Sequence, residues 1–190
     1  MPKPVLHRPL IGRRDFLALG GGVLAVGLLG PRGSHGVEAN PGLVTIVQAD
    51  AGGKPGARVQ VPKVVYSEAE WRARLDAASF EITRRAGTER AFTGPLTNEH
   101  RAGLFRCICC DTPLYSSTTK FESGTGWPSF YAPFAKENID TRTDRSFGWV
   151  RTEVLCKRCD AHLGHVFEDG PPPTGLRYCM NSVALRFVPA

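Results

Sequence analysis

Apolar and polar positions follow different patterns in successive parts of the chain. From Gly103 onward, short runs rich in valine, phenylalanine, tyrosine and threonine are separated by glycine and proline. Short runs of this composition, bounded by turn residues, are typical of antiparallel strands. The pattern therefore predicts a mainly β domain built from antiparallel sheets.

The residues before this β region have a helical pattern. Ser67 and Glu70 have the spacing of a reciprocal capping box, and helix-forming residues continue to Ala86,. Gly87 follows and can adopt the left-handed conformation that ends a helix. One helix, or two helices broken near Ser79, fits this segment, which we expect to precede the β domain as a helical preface.

Further upstream the chain alternates between apolar stretches and a turn. The apolar stretches at 43–47 and 59–65 flank a turn sequence rich in glycine at 51–56,. We therefore expect residues 40–66 to form a peripheral segment or hairpin. The β domain with its helical preface is then expected to cover residues 67–190.

The N-terminal segment, residues 1–39, reads as a targeting sequence. Arg13 and Arg14 precede an uncharged run at 16–29, which is shorter than the ~20 residues that a membrane-spanning helix needs. The adjacent arginines resemble the twin-arginine export signal, and Ala39 supplies a small residue before a cleavage site. We expect export to the periplasm and no stable membrane span after cleavage. The alternative is a basic arm that binds acidic surfaces.

Composition and charge exclude some classes of partner. The chain of 190 residues is 42% hydrophobic, as expected of a globular domain, and has a net charge of +6,. Removing residues 1–39 takes away five basic and two acidic residues, which leaves a net charge of +3. This charge is dispersed and does not interleave with aromatic residues, so we expect no nucleic-acid partner. We expect the protein to be a monomer.

Cysteine is the residue type with the most informative spacing. The six cysteines fall into three settings, namely Cys107 with Cys109 and Cys110, Cys156 with Cys159, and Cys179 alone. Two cysteines separated by two residues can direct both sulfurs at one ion, and two such pairs complete a tetrahedron. We expect one structural zinc ion, held by Cys107, Cys110, Cys156 and Cys159. Disulfide pairing in an oxidising compartment is the alternative, and Cys109 could replace Cys110 as a ligand.

The isolated cysteine has polar neighbours on its own strand face. A period of two places Arg177, Cys179 and Asn181 on the same face of a strand,. A guanidinium beside a thiol favours the thiolate, and Asn181 offers a donor and an acceptor to a bound polar group. Since an inert buried cysteine normally has apolar neighbours, this pattern indicates that Cys179 is a reactive nucleophile.

Two further motifs contain residues suited to catalysis. His162 and His165 follow the second cysteine pair, and histidine can transfer protons near neutral pH,. Either histidine could instead be a metal ligand, although four cysteines already suffice. Trp127 lies between a glycine and a proline, which favours an indole displayed on a rigid loop. Such an indole suits a methyl or cationic group.

Three motifs together resemble a known family, the B-type methionine sulfoxide reductases. They are GWPSF at 126–130, CKRCDAHLGHVF at 156–167 and TGLRYCMNS at 174–182. The resemblance covers about residues 64–187 and implies a β-rich domain of antiparallel sheets. It also implies reduction of the R epimer of methionine sulfoxide, mostly within oxidised proteins.

The resemblance implies a role for each matched residue. Cys179 becomes the attacking thiolate, and collapse of the adduct leaves methionine and a sulfenic acid on Cys179. The remaining roles are protonation of the sulfoxide oxygen by His165 with His162, orientation by Arg177 and Asn181, and substrate binding by Trp127, Asp169 and Phe130.

The sequence departs from many members of this family at one position. Thr125 stands where many of them carry a second, resolving cysteine. If zinc takes four cysteines, Cys109 alone remains, and it would lie beside the metal. We therefore expect an external thiol donor, such as a thioredoxin-like protein, to regenerate Cys179.

Two functions of other classes compete with this interpretation. A zinc-ribbon module that binds a partner protein would account for the paired cysteines, but not for the polar face around Cys179. A thiol-disulfide oxidoreductase would use one Cys-x-x-Cys pair catalytically, whereas two pairs in similar settings favour shared ligands.

Overall fold

The computed structural model of the protein describes residues 42–190. The predicted signal sequence at 1–39 and its cleavage site lie outside the described residues. Within the described part, neither α-helix is long and apolar enough to cross a membrane.

Strands dominate the described residues. The strands are β1 (Leu43–Ala49), β2 (Pro55–Pro62), β3 (Gly103–Cys107), β4 (Pro113–Ser116), β5 (Lys120–Phe121), β6 (Ser129–Phe130), β7 (Ile139–Asp144), β8 (Arg151–Cys156), β9 (His162–Phe167), β10 (Arg177–Met180) and β11 (Leu185–Pro189). The helices are α1 (Glu68–Arg74) and α2 (Ala77–Arg85).

The strands form three antiparallel sheets. Six strands pair in the order β5-β6-β10-β9-β8-β7, three pair in the order β11-β3-β4, and β1 pairs with β2 as a separate hairpin. The predicted fold class, mainly β with a short helical segment, is therefore confirmed.

The helical preface consists of two helices. Ser67 caps α1 through the capping box with Glu70 that its sequence indicates. The predicted break near Ser79 is displaced, because Asp76 caps α2 by accepting a hydrogen bond from the Ser79 N–H at 2.8 Å. Ser79 thus lies in the first turn of α2. The left-handed residue at the end of α2 is Ala86, with φ 52°, rather than the glycine that follows it.

Aromatic side chains fill the core between the two larger sheets. The rings of Tyr115 and Phe130 stack with centroids 4.4 Å apart, and Phe105 meets Phe130 edge-on at 4.9 Å. All three side chains are fully buried, and each contributes about 1.5–3 kcal/mol by leaving water. The sequence motif suggested that Phe130 binds substrate. Because Phe130 lies in the core and no part of its ring is exposed, the ring does not contact a substrate.

The β1–β2 hairpin is anchored to the main domain by buried polar contacts. The Asn138 side chain is fully buried. It accepts from the Val47 N–H at 2.7 Å and donates to the carbonyls of Val47 at 2.8 Å and Pro113 at 2.7 Å. The Val64 N–H donates to the Arg158 carbonyl at 2.8 Å. Because each buried polar group has a partner, the hairpin has a defined position on the domain.

Candidate functional site

Three neighbouring strands of the large sheet position the isolated cysteine. Cys179 on β10 pairs with Ser129 on β6 and with His165 on β9. Gly164, with φ 154°, allows β9 to lie close to β10, since a Cβ at this residue would come within 2.1 Å of the Cys179 carbonyl oxygen. A side chain at Gly164 would therefore push the histidine strand away from the cysteine strand.

A small cavity opens beside Cys179. Its volume is about 140 Å³, which is smaller than the roughly 300–1,000 Å³ of sites that enclose drug-sized ligands. The residues that line it come from five parts of the chain and are Thr88, Trp127, Arg151, Gly164, His165, Phe167, Cys179, Met180 and Asn181. Of the side chains singled out in the sequence, this cavity brings together Cys179, His165, Trp127 and Asn181.

Opposing effects act on the Cys179 thiol. Burial raises its pKa above the ordinary value, while the nearby charge of Arg177 and a hydrogen bond from Thr125 lower the pKa. The Thr125 hydroxyl lies 3.9 Å from the Cys179 sulfur. Arg177 therefore lowers the pKa of Cys179, as expected, but burial raises this pKa by more. The thiol reacts as a nucleophile only once it has lost its proton.

Arg177 is held in place by two neighbours. Its guanidinium donates two hydrogen bonds of 2.8 Å to Asp169, and it lies 4.4 Å from the centre of the Phe167 ring. Asp169 is not among the cavity-lining residues and remains largely exposed. Asp169 therefore orients Arg177, and the substrate binding expected of it stays a prediction.

A carboxylate fixes the orientation of His165. Its Nε2 lies 2.8 Å from the Asp144 carboxylate. Hydrogen bonds from Ser146, and then from His165, hold the pKa of Asp144 well below its usual range. An ionised carboxylate only accepts hydrogen bonds, so the Nε2 of His165 carries a hydrogen. The Nδ1 of His165 is then the nitrogen that can take up or release a proton.

His162 lies against His165 and not on the cavity wall. The two rings meet edge-on with centroids 5.4 Å apart. The Nδ1 of His162 is 2.6 Å from the buried carboxylate of Glu153, which also pairs with Arg142. Burial lowers the pKa of His162, and Glu153 opposes that shift. His162 therefore stands behind His165, and its part in protonating the sulfoxide oxygen stays a prediction.

The amide of Asn181 is occupied by the backbone. Its Oδ1 accepts from the Glu89 N–H at 3.0 Å, and its Nδ2 donates to the Leu163 carbonyl at 3.1 Å. The Glu89 carbonyl in turn accepts from the indole N–H of Trp127 at 3.1 Å. Asn181 therefore fixes the wall of the cavity, and its expected contact with a substrate group stays a prediction.

The other cysteines meet away from this cavity. The sulfurs of Cys107, Cys110, Cys156 and Cys159 all lie within 4.8 Å of one another. Two of the separations are 3.6 Å, between Cys107 and Cys159, and 3.5 Å, between Cys110 and Cys156. Zinc–sulfur bonds of about 2.3 Å in a tetrahedron place the sulfurs about 3.8 Å apart. This set could hold a metal ion, and it contains Cys110 rather than Cys109.

Without a cation, crowding of the cluster disfavours the thiolate form of Cys107. Neighbouring cysteines, Cys109 first among them, and burial raise the pKa of Cys107 well above its usual value. A divalent cation offsets this penalty because it binds the thiolate form. Arg84 donates to the Cys159 carbonyl at 2.8 Å and approaches the Cys159 sulfur at 3.5 Å. In the described part of the chain, neither His162 nor His165 belongs to the cluster.

Several site residues were missed by sequence reasoning. Asp144 and Arg151 lie at the two ends of the β7–β8 turn, and Glu89 lies in the loop after α2. Their side chains reach the site only through strand pairing and loop packing, so no local motif marked them. Glu153 could have been identified from the sequence. It is the only acidic residue of β8, and all residues of this strand from Glu153 onward are buried.

Comparisons with known proteins assign the chain to a family. The SelR domain model matches residues 75–189, so the chain belongs to the SelR domain family. A protein from Herminiimonas arsenicoxydans named peptide methionine sulfoxide reductase MsrB is 54% identical over 125 residues, which are 66% of this chain and 91% of that protein. A protein of the same name from Pseudomonas putida (strain W619) is 61% identical over 120 residues, 63% of this chain and 90% of that protein. A third protein of this name, from Pseudomonas entomophila (strain L48), is 58% identical over 120 residues, which are 63% of this chain and 92% of that protein.

Proposed function

We propose that this protein reduces methionine sulfoxide residues of oxidised proteins to methionine, with Cys179 as the nucleophile. The observation that carries the proposal is the cavity that Cys179 shares with His165 and Trp127. The cavity has the size of a side chain, and it holds a nucleophile, a proton donor and an aromatic face. Membership of a family whose relatives are named for this reaction supports the same conclusion.

The first half of the reaction transfers one oxygen atom. The imidazolium of His165 donates a proton to the sulfoxide oxygen, which makes the substrate sulfur electrophilic. The Cys179 thiolate attacks this sulfur and forms an S–S bond to it. When the adduct collapses, this S–S bond and the S–O bond of the substrate break, and the protonated oxygen moves to the Cys179 sulfur as a new S–O bond. The methionine sulfur gains two electrons and the cysteine sulfur loses two. The products are methionine and a sulfenic acid on Cys179.

The roles of the other cavity residues follow from their contacts. Trp127 offers its ring to the substrate methyl group, and its indole N–H is fixed by Glu89. Arg177 counteracts the effect of burial on the Cys179 thiol by favouring the thiolate. We assign the R epimer as the substrate from the family resemblance.

The second half of the reaction regenerates the thiol. We propose an external dithiol of the thioredoxin-like class, which condenses with the sulfenic acid, releases water and leaves as a disulfide. Thr125 supports this proposal, because a hydroxyl rather than a thiol stands 3.9 Å from the Cys179 sulfur. The two electrons that Cys179 lost come from the dithiol.

The metal cluster has a structural role in this proposal. We infer that Cys107, Cys110, Cys156 and Cys159 bind one zinc ion, since four cysteine sulfurs form a closed donor set without an open position,. When bound, zinc supplies a crosslink between two distant turns.

We also propose that the protein works outside the cytoplasm as a monomer. The paired arginines and the uncharged run at 16–29 support export by the twin-arginine route,. N-terminal sequencing of protein recovered from the periplasm should begin at Asn40. Recovery of intact Met1 from that compartment would contradict the cleavage.

The experiment that tests the reaction uses the full chain, a dithiol and two peptides that carry the R or the S epimer of methionine sulfoxide. Chromatography measures each epimer over time, and we expect loss of the R epimer alone. Cys179→Ser should abolish the loss, while the matched control Cys109→Ser should retain activity. Reduction by Cys179→Ser at the wild-type rate would refute the assignment of the nucleophile.

A further inference from the structure

The most exposed large apolar side chains of the described residues lie beside the cavity. Trp149 is 74% exposed, Phe92 is 73% exposed and Val150 is 70% exposed. Single exposed apolar residues are common on protein surfaces and need no explanation. These three are neighbours of cavity-lining residues, because Phe92 contacts Gly126 beside Trp127, and Trp149 and Val150 directly precede Arg151. Exposed apolar side chains near a binding cavity mark an interaction site.

Phe92 is held next to the cavity wall in an unfavourable backbone conformation. Its φ of 64° is rare for a bulky residue,. Its N–H donates to the Gly126 carbonyl at 2.8 Å, and a Cβ on Gly126 would lie 2.8 Å from atoms of the Phe92 ring. The ring therefore covers Gly126, the residue directly before the cavity-lining Trp127. Strain of this kind is concentrated at ligand-binding sites.

Trp149 and Val150 belong to a turn that is tied to the cavity histidine. Arg151, which follows them, lines the cavity and donates to Asp144 at 2.6 Å and to Ser146 at 3.2 Å. Asp144 is also the partner of the cavity residue His165. The turn is therefore fastened to the same carboxylate that orients the proton donor.

The size of the cavity determines what can touch these side chains. A volume of about 140 Å³ admits the reacting side chain alone, so the neighbouring residues of a polypeptide substrate must cross its opening. We propose that Phe92, Trp149 and Val150 form an apolar rim that binds apolar side chains on either side of the oxidised methionine. The protein then prefers sulfoxides in apolar sequence contexts. This inference rests on the proposed reductase function and adds a sequence preference to it.

The test compares kcat/KM for two pentapeptides with a central methionine sulfoxide, one with leucine neighbours and one with serine neighbours. Burial of apolar area on the rim should favour the leucine peptide about tenfold, through a lower KM. In Phe92→Asn with Trp149→Ser this ratio should fall to near one. Asparagine is chosen because it tolerates a positive φ. The single change Val150→Ser should lower the ratio partly and leaves the strained residue untouched.

Matched controls remove equally apolar residues elsewhere. Leu43→Ser and Val65→Ser replace side chains that are 62% and 63% exposed and do not line the cavity, and the ratio should stay at the wild-type value. Equal kcat/KM for both peptides in the wild type, or an unchanged ratio in the rim variants, would overturn the rim while leaving the reductase function intact. A wild-type protein that reduces neither peptide would instead refute the proposed function itself.

Discussion

Cysteine is used in two different ways within this domain. The cluster of Cys107, Cys110, Cys156 and Cys159 packs four sulfurs within 4.8 Å of one another, and three of these residues are buried. Cys179 stands alone, half-buried, at a cavity with His165. The two kinds of cysteine therefore differ in the number of neighbouring thiols and in access to solvent, and this difference suits a ligand set in the first case and a reactive thiol in the second.

The two regions share a strand. Cys159 lies just before β9, and His165 lies near the other end of the same strand. Because β9 also pairs with the strand of Cys179, disturbance of the cluster should spread to the cavity, whereas changes in the cavity should leave the cluster intact.

Loss of a cluster ligand should have the largest effect. Structural zinc contributes on the order of 10 kcal/mol to the folding of small domains, which is comparable to the whole stability of about 5–15 kcal/mol. Cys156→Ser should therefore lose zinc, measured by elemental analysis, together with the cooperative thermal unfolding transition. Cys109→Ser should keep both. A folded, active Cys156→Ser without metal would break the proposed dependence of the cavity on the cluster.

Loss of the carboxylate behind His165 should affect the reaction but not the fold. Asp144→Asn removes the charge that holds the Nε2–H of His165. We expect kcat to fall about tenfold to hundredfold, which is less than or equal to the roughly hundredfold minimum that a whole general acid contributes, because His165 itself remains. Zinc content should be unchanged. Ser146→Ala, which preserves the carboxylate, is the matched control. An unaltered kcat in Asp144→Asn would show that the orientation of His165 does not limit the reaction.

A smaller effect should appear in the pH dependence of stability. Burial lowers the pKa of His162 from its ordinary value of 6.5, so the folded state binds fewer protons than the unfolded state below this pH. Stability should then fall as pH drops from 6.5 towards the folded pKa, by at most about 1.4 kcal/mol per unit. Urea unfolding at pH 7.5, 6.5 and 5.5 measures this slope.

The matched variant for this slope is His162→Gln, which cannot gain a proton in this range. Its unfolding free energy should depend less steeply on pH than that of the wild type, because the buried imidazole is gone. If the two slopes coincide, burial of His162 does not contribute to acid sensitivity.

Thr125→Cys should have the smallest effect on rate and change only the product of one turnover. The Thr125 hydroxyl is 3.9 Å from the Cys179 sulfur, so a modest loop shift would permit a disulfide of about 2.05 Å. Mass spectrometry after one equivalent of sulfoxide should find an intramolecular disulfide in Thr125→Cys and a sulfenic acid in the wild type. A disulfide between Cys179 and Cys109 in the wild type would contradict regeneration by an external donor.

Local sequence was sufficient for features that depend on neighbouring residues. The capping box of Ser67 and Glu70, the strand-rich composition after Gly103 and the two-residue spacing within the cysteine pairs all predicted what the structure contains. Each of these depends on short-range geometry, in which backbone period or turn length fixes where a side chain points.

Other features depend on tertiary structure alone. Three positions follow from the packing of segments that are distant in sequence. Phe130 is buried in the core, the Asn181 amide bonds to the backbone, and His162 lies behind His165. The same holds for Asp144, which reaches His165 across the β7–β8 turn. Motif spacing identifies reactive residue types, but burial and hydrogen-bond partners depend on which strands pair, and that pairing decided which of them face the cavity.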